Sequence, residues 1–106
     1  MSIHLNLLKI QEMYSEYVLI EKEDVEKFRF PKEEVLKSDA DKKILKAALE
    51  RANALGNLEH HKVKIYFEDD KKKKVVHTTI WAVTDNAIVL KQNVLIPIRR
   101  IYKLEI

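Results

Sequence analysis

Lys62–Ile106 reads KVKIYFEDDKKKKVVHTTIWAVTDNAIVLKQNVLIPIRRIYKLEI, and how this stretch folds decides the rest. From Lys62 the apolar residues recur every second position, the pattern of a strand with one buried face: Val63, Ile65 and Phe67 alternate with Lys64, Tyr66 and Glu68. Asp69–Lys73 is a predicted turn. Lys74–Thr84 is a longer second strand, with Val76, Thr78, Ile80 and Ala82 on one face and Val75, His77, Thr79, Trp81 and Val83 on the other. The turn pairs Asp85-Asn86 and Gln92-Asn93 bracket a third strand, Ala87–Lys91. Val94–Ile98 is a fourth, Arg99-Arg100 a brief turn, and Ile101–Ile106 the closing strand, with Ile101, Lys103 and Glu105 opposite Tyr102, Leu104 and Ile106. Such tight spacing leaves no room for the crossover helices of a parallel sheet. Closing five antiparallel strands on themselves removes their edges.

Upstream, the period changes from two to that of a helix. Ala40, Ile44, Ala48, Ala52 and Leu55, widened by Leu45 and Leu49, predict one amphipathic helix over about Ala40–Leu55. Ser38 is its expected N-cap, with Asp39 and Asp41 at the positive end of the dipole. Gly56, the one glycine of the chain, is expected just past the end as a left-handed cap. Pro31, Glu33 and Glu34 predict a short helix ending near Lys37. Leu7, Leu8, Ile10, Met13 and Tyr14 predict a first helix over Leu5–Glu16. Tyr17–Ile20 reads as a strand or as that helix's last turn. The expected fold is therefore α+β with a mainly β core. A helical N-terminal extension, residues 1–60, packs on a small five-stranded antiparallel barrel, residues 61–106.

Composition narrows the function classes. The chain has 106 residues, no Cys and two Pro. A single glycine excludes phosphate-cradling glycine loops. Absence of Cys predicts a fold without disulfides or thiolate metal sites, at home in a reducing cytoplasm. The opening MSIHLNLLKIQEMYSEY lacks a basic start and a long apolar run, so neither a signal peptide nor a membrane partner is expected. Residues 1–60 hold 10 Lys and Arg against 12 Asp and Glu, while residues 61–106 hold 10 against 5. The strand-rich half is the basic half, as in domains that meet polyanions.

Two segments carry a family resemblance: Thr79-Ile-Trp-Ala-Val-Thr-Asp-Asn-Ala-Ile-Val-Leu-Lys91 and Ile96-Pro-Ile-Arg-Arg-Ile101. With the helix ahead of five strands, they make the C-terminal 45 residues similar to the Sm-like barrels, the SH3-type fold of the Sm and Sm-like RNA-binding proteins. The resemblance implies RNA or single-stranded nucleic acid as partner, a ring-forming homo-oligomer, and a role for the Arg99-Arg100 pair. The chain departs from the pattern in three places. Thr79 stands where the family has a glycine, Asn86 follows Asp85 directly, and Arg100 replaces the glycine after the arginine.

Three clusters carry candidate binding chemistry. Lys71, Lys72, Lys73 and Lys74 make either a phosphate-contacting loop or a solubilising turn that discourages edge pairing. Arg99 and Arg100 either hold a phosphate or stack on a base, or are ordinary turn residues that pair with acids of the helical part. Tyr66 and Tyr102, opposite the clearest apolar rows, are the candidates for base stacking, whereas Phe67 belongs to the core and Trp81 fits either role. His60 and His61 are adjacent and point apart, so no metal is expected, nor any other cofactor. Asp69-Asp70 lies among lysines, and Ser15 and Ser38 have no base at a recognisable spacing, so no catalytic constellation is found and an enzyme is not expected. Two readings follow. A nucleic-acid module needs the lysine turn and the arginine pair displayed on one side. A protein-interaction or self-associating module needs them dispersed or neutralised by Glu21–Glu34, with an interface around Leu8 and Met13.

Overall fold

The structure is a computed structural model and describes residues 16–106. Its elements are β1 (Val18–Leu19), a 3₁₀ turn (Lys22–Lys27), α1 (Asp39–Glu59), β2 (Lys62–Glu68), β3 (Lys73–Val83), β4 (Ala87–Leu90), a turn at Lys91–Asn93, β5 (Val94–Pro97), a 3₁₀ turn (Ile98–Arg100) and β6 (Ile101–Glu105). The expected Leu5–Glu16 helix, but for Glu16 itself, and the Leu8/Met13 interface fall on residues 1–15, outside the described residues.

The α+β class with a mainly β core is as expected. The strands run in the order β5-β4-β3-β2-β6, every neighbour antiparallel. Strand β1 adds a short parallel pairing to β3, with Val18 opposite Lys74 and Leu19 opposite Val75. The ladder is an open sheet, and no ladder joins β5 to β6 among the described residues.

Two bulges correct the expected strand faces. Between Ile80 and Ala82, β3 carries one residue more than β4, because Ile80 faces Leu90 and Ala82 faces Val89. Trp81 is the extra residue. A one-residue insertion exchanges the two faces downstream, so Val83 packs on the core where strict alternation from Ile80 selects Ala82. Strand β6 does the same against β2: Tyr66 faces Lys103 and Phe67 faces Ile101, leaving Tyr102 in the bulge. Ile101 and Leu104 both pack inward for that reason.

The main helix is longer than expected and uses a narrower stripe. Ser38 caps it as expected, its Oγ accepting from the Asp41 N–H at 3.0 Å. Leu45, Leu49, Ala52 and Gly56 face the sheet, whereas Ile44, expected in the stripe, points to water. Gly56 is not the cap. The left-handed residue is His60 (φ 53°, ψ 34°), whose N–H donates to the Gly56 carbonyl at 3.1 Å. Gly56 lies inside the helix where it crosses β3, and a Cβ there would come within 2.2 Å of the Ile80 carbonyl oxygen. The glycine is needed for space, and α1 runs one more turn.

The helix expected from Pro31 to Lys37 does not form. The carbonyls of Phe30, Pro31 and Glu33 accept from Arg99 and Arg100 instead of from N–H groups one turn on. Phe28 and Phe30 pack on Phe67, with ring centroids 6.3 and 6.1 Å apart. This segment is a strap between the Lys22–Lys27 turn and α1. Val25 of that turn enters the same core as Leu45, Leu49, Ile65, Phe67 and Ile96, so the helical part and the sheet share one interior.

Candidate functional site

The lysine turn is organised by the acid before it. Asp69 Oδ1 accepts from the N–H groups of Lys71 (3.0 Å) and Lys72 (2.9 Å), the side-chain turn that aspartate favours. Its Oδ2 meets the Lys74 ammonium at 2.6 Å, and both residues are buried, with Lys74 8 % exposed. Burial alone raises the Asp69 pKa. The Lys74 hydrogen bond and the two backbone donors outweigh it and hold the carboxyl below its ordinary value. Lys74 also lies over the Phe28 ring at 4.3 Å. Lys73 is bound to Glu16 at 2.9 Å and sits over the rings of Tyr17 and Tyr102. The run is therefore split: Lys73 and Lys74 are engaged within the fold, while Lys71 and Lys72 are exposed and make no ion pair among the described residues.

Because the folded Asp69 pKa is lowered, its contribution is complete above the unfolded value of about 3.9 and is lost as pH falls through the folded value. Asp69→Asn keeps the acceptor for the turn but not the charge. At pH 7 it is expected to cost about 1–2 kcal/mol, since the Lys74 ammonium can swing to water. In urea titrations the gap from the parent should narrow as pH drops below about 4. A gap that is constant from pH 7 to pH 2.5 excludes the ion pair as its source.

The arginine pair points inward. Arg100 is 6 % exposed, and its guanidinium donates to the carbonyls of Glu68 (2.9 Å), Glu33 (2.8 Å) and Asp69 (3.2 Å). Arg99 donates to Pro31 (3.0 Å) and Phe30 (3.3 Å), and the Val35 N–H donates to the Arg99 carbonyl at 2.9 Å. The pair does lie beside the lysine turn, through Glu68 and Asp69, and its hydrogen bonds among the described residues go to the chain's own backbone rather than to acids.

The tyrosines are also committed. Tyr66 is 2 % exposed and donates to Glu105 at 3.0 Å, with the Tyr17 ring edge-on at 4.9 Å. Tyr102 donates a short hydrogen bond to Glu68. Burial first, then that bond and the Glu68 charge, push its phenol well above the ordinary range. Tyr17 rises in the same way through burial, partly offset by Lys73. The structure thus gathers Lys73, Lys74, Arg100, Tyr66 and Tyr102 around the β2–β3 hairpin and the start of β6, as a set of internal locks.

Two concave surfaces were not legible in the sequence. One is a groove of about 690 Å³ where the bulge turns Trp81 outward at 36 % exposure, with the His60 ring tilted against it 4.9 Å away and Lys62, His77 and Lys91 on its walls. The acids Glu21 and Glu23 share it. The signal was the left-handed His60, which brings its ring over β3, and single sequences do not reveal that. The other is a cavity of about 510 Å³ between α1 and the turn before β6, floored by Leu45, Leu49, Val83 and Ile98; Asn53, whose buried Oδ1 has no hydrogen-bond partner among the described residues, is in its lining. Among the described residues no helix is long and apolar enough to cross a membrane. No protein family, curated protein or solved structure matches this chain.

Proposed function

We propose that the protein is a non-enzymatic binding module of the small-barrel, Sm-like kind, and that it binds protein, in the first place a further copy of itself. One observation carries this reading: the arginine pair and half of the lysine run are engaged within the fold, while α1 exposes apolar side chains. Arg99, Arg100, Lys73 and Lys74 are bound within the fold, whereas Ile44 is 69 % and Leu58 81 % exposed. Exposed apolar surface of that kind marks contact with other macromolecules. The barrel reading rests on connectivity. The two edge strands, β5 and β6, are consecutive and joined by the three-residue turn Ile98–Arg100, so the open edges of the sheet lie next to one another in the chain.

The groove beside Trp81 favours a second reading, single-stranded nucleic acid stacked on Trp81 and His60 with phosphates near Lys62 and Lys91. One sample separates the two. Trp81 is the sole tryptophan, so its fluorescence reports the groove directly during titration with short RNA and DNA at low and moderate salt, while light scattering gives the mass. The protein-contact reading expects mass that rises with concentration and fluorescence indifferent to nucleic acid. Salt-sensitive quenching of Trp81 by a strictly monomeric protein overturns it in favour of the groove.

A further inference from the structure

The outer face of α1 carries a second row of residues that the fold does not use. Ala40, Ile44, Ala47, Arg51, Ala54 and Leu58 are all exposed, and they follow one another at steps of four, three, four, three and four. Those steps keep a row on one side of a helix. The row is nearly all apolar, which a surface helix does not need.

The row is also symmetric about Leu49. Reversed end for end around that residue, it falls on itself: position 40 lands on 58, 44 on 54, and 47 on 51. Each of these layers then holds one small and one long side chain, Ala40 with Leu58, Ile44 with Ala54, and Ala47 with Arg51. Alternation of small with large lets facing layers interdigitate, which is how helix surfaces fill the space between them. A row that matches its own reverse suits a two-fold contact, in which the same patch is used on both subunits. The flanking charges agree. In that register Lys43 and Arg51 of one helix come to either side of Glu50 of the other. None of these three makes an ion pair among the described residues of its own chain.

We infer that the occupant of this face is the α1 helix of a second copy, packed antiparallel with Leu49 at the level of the two-fold axis. The inference rests on the protein-contact reading and names its partner. Helix α1 has 21 residues, a length of about 31 Å at 1.5 Å per residue. One helix pair of that length is a small contact beside the about 1,200–2,000 Å² that stable complexes bury, so the dimer is weak and reversible.

The chain has no Cys, so single cysteines report the register cleanly. Ala40→Cys and Leu58→Cys are mixed at high concentration and oxidised. The antiparallel register expects the mixed 40–58 disulfide, and no 40–40 disulfide, because those two positions are about 27 Å apart along the axis. Sedimentation of the parent should show dimer growing with concentration, and Ile44→Glu with Leu58→Glu should weaken it at least tenfold without loss of fold. A 40–40 product means parallel helices and overturns the register. A dimer untouched by the two glutamates, with no 40–58 product, overturns the inference and leaves self-association standing on another face. A monomer at millimolar concentration overturns the inference and the self-association reading together.

Discussion

Arg100→Met is expected to lower the stability of the protein by about 4 kcal/mol, measured by urea denaturation at pH 7. The side chain is almost fully covered and donates to three backbone carbonyls from two distant stretches, Glu33 on the strap and Glu68 and Asp69 at the hairpin. Methionine replaces the apolar stem but not the guanidinium, and leaves those acceptors without a donor. Each buried acceptor left unpaired costs about 1–3 kcal/mol, while the apolar replacement recovers part of the desolvation of the guanidinium. The three together are a large share of the stability of a domain this size, of order 5–15 kcal/mol. Arg100→Lys keeps the charge but replaces the planar fork with a point donor, and should fall between the two. A change under 1 kcal/mol for Arg100→Met removes the lock from this account. The arginine is then free for an external phosphate, and the nucleic-acid reading regains its residue. In the same assay Arg99→Met should cost less, because Arg99 binds only the strap and is more accessible.

The sheet was legible because alternation is a local code. Val63, Ile65 and Phe67 and the turn pair Gln92-Asn93, both left-handed in the structure, fall where the sequence places them. What the period of two does not encode is a bulge. The residues that shift the faces of β3 and β6 are Trp81 and Tyr102, each an ordinary strand former. The strap failed for a different reason. Pro31, Glu33 and Glu34 are good helix-starting chemistry, but the donors that compete for the carbonyls of their turn are supplied by residues nearly 70 positions later. Local propensity loses to tertiary hydrogen bonds when the donors come from a buried arginine. The candidate site follows the same logic. A run of four lysines looks uniform in sequence. Asp69 makes it unequal by selecting Lys74 for the interior and presenting Lys71 and Lys72 to water.

Gly56→Ala is the second large effect, expected at about 3 kcal/mol of destabilisation with a melting temperature lower by roughly 10–20 °C. The two readings of this glycine differ in what they demand. A cap glycine is there for its left-handed backbone, and alanine in that conformation costs about 1–2 kcal/mol. A crossing glycine is there for its missing methyl. At Gly56 the backbone is not left-handed, and alanine by itself would raise helix propensity by about 1 kcal/mol. The added Cβ, however, would meet the Ile80 carbonyl at 2.2 Å and the Thr79 methyl at 3.3 Å. The first of these is backbone of a strand paired on both sides, so it cannot rotate away. The helix must then lift off β3, which opens the contacts that Leu49 and Ala52 make below it. His60 supplies the control, since it is the residue in the left-handed conformation. His60→Gly relieves backbone strain and removes the ring from Trp81, so it should change stability by less than about 1 kcal/mol in either direction while altering Trp81 fluorescence. If alanine at 56 costs only the about 1–2 kcal/mol of a left-handed cap, and glycine at 60 changes neither stability nor Trp81 fluorescence, the helix ends at Gly56 in solution, and its last turn, with Leu58, drops out of any interface.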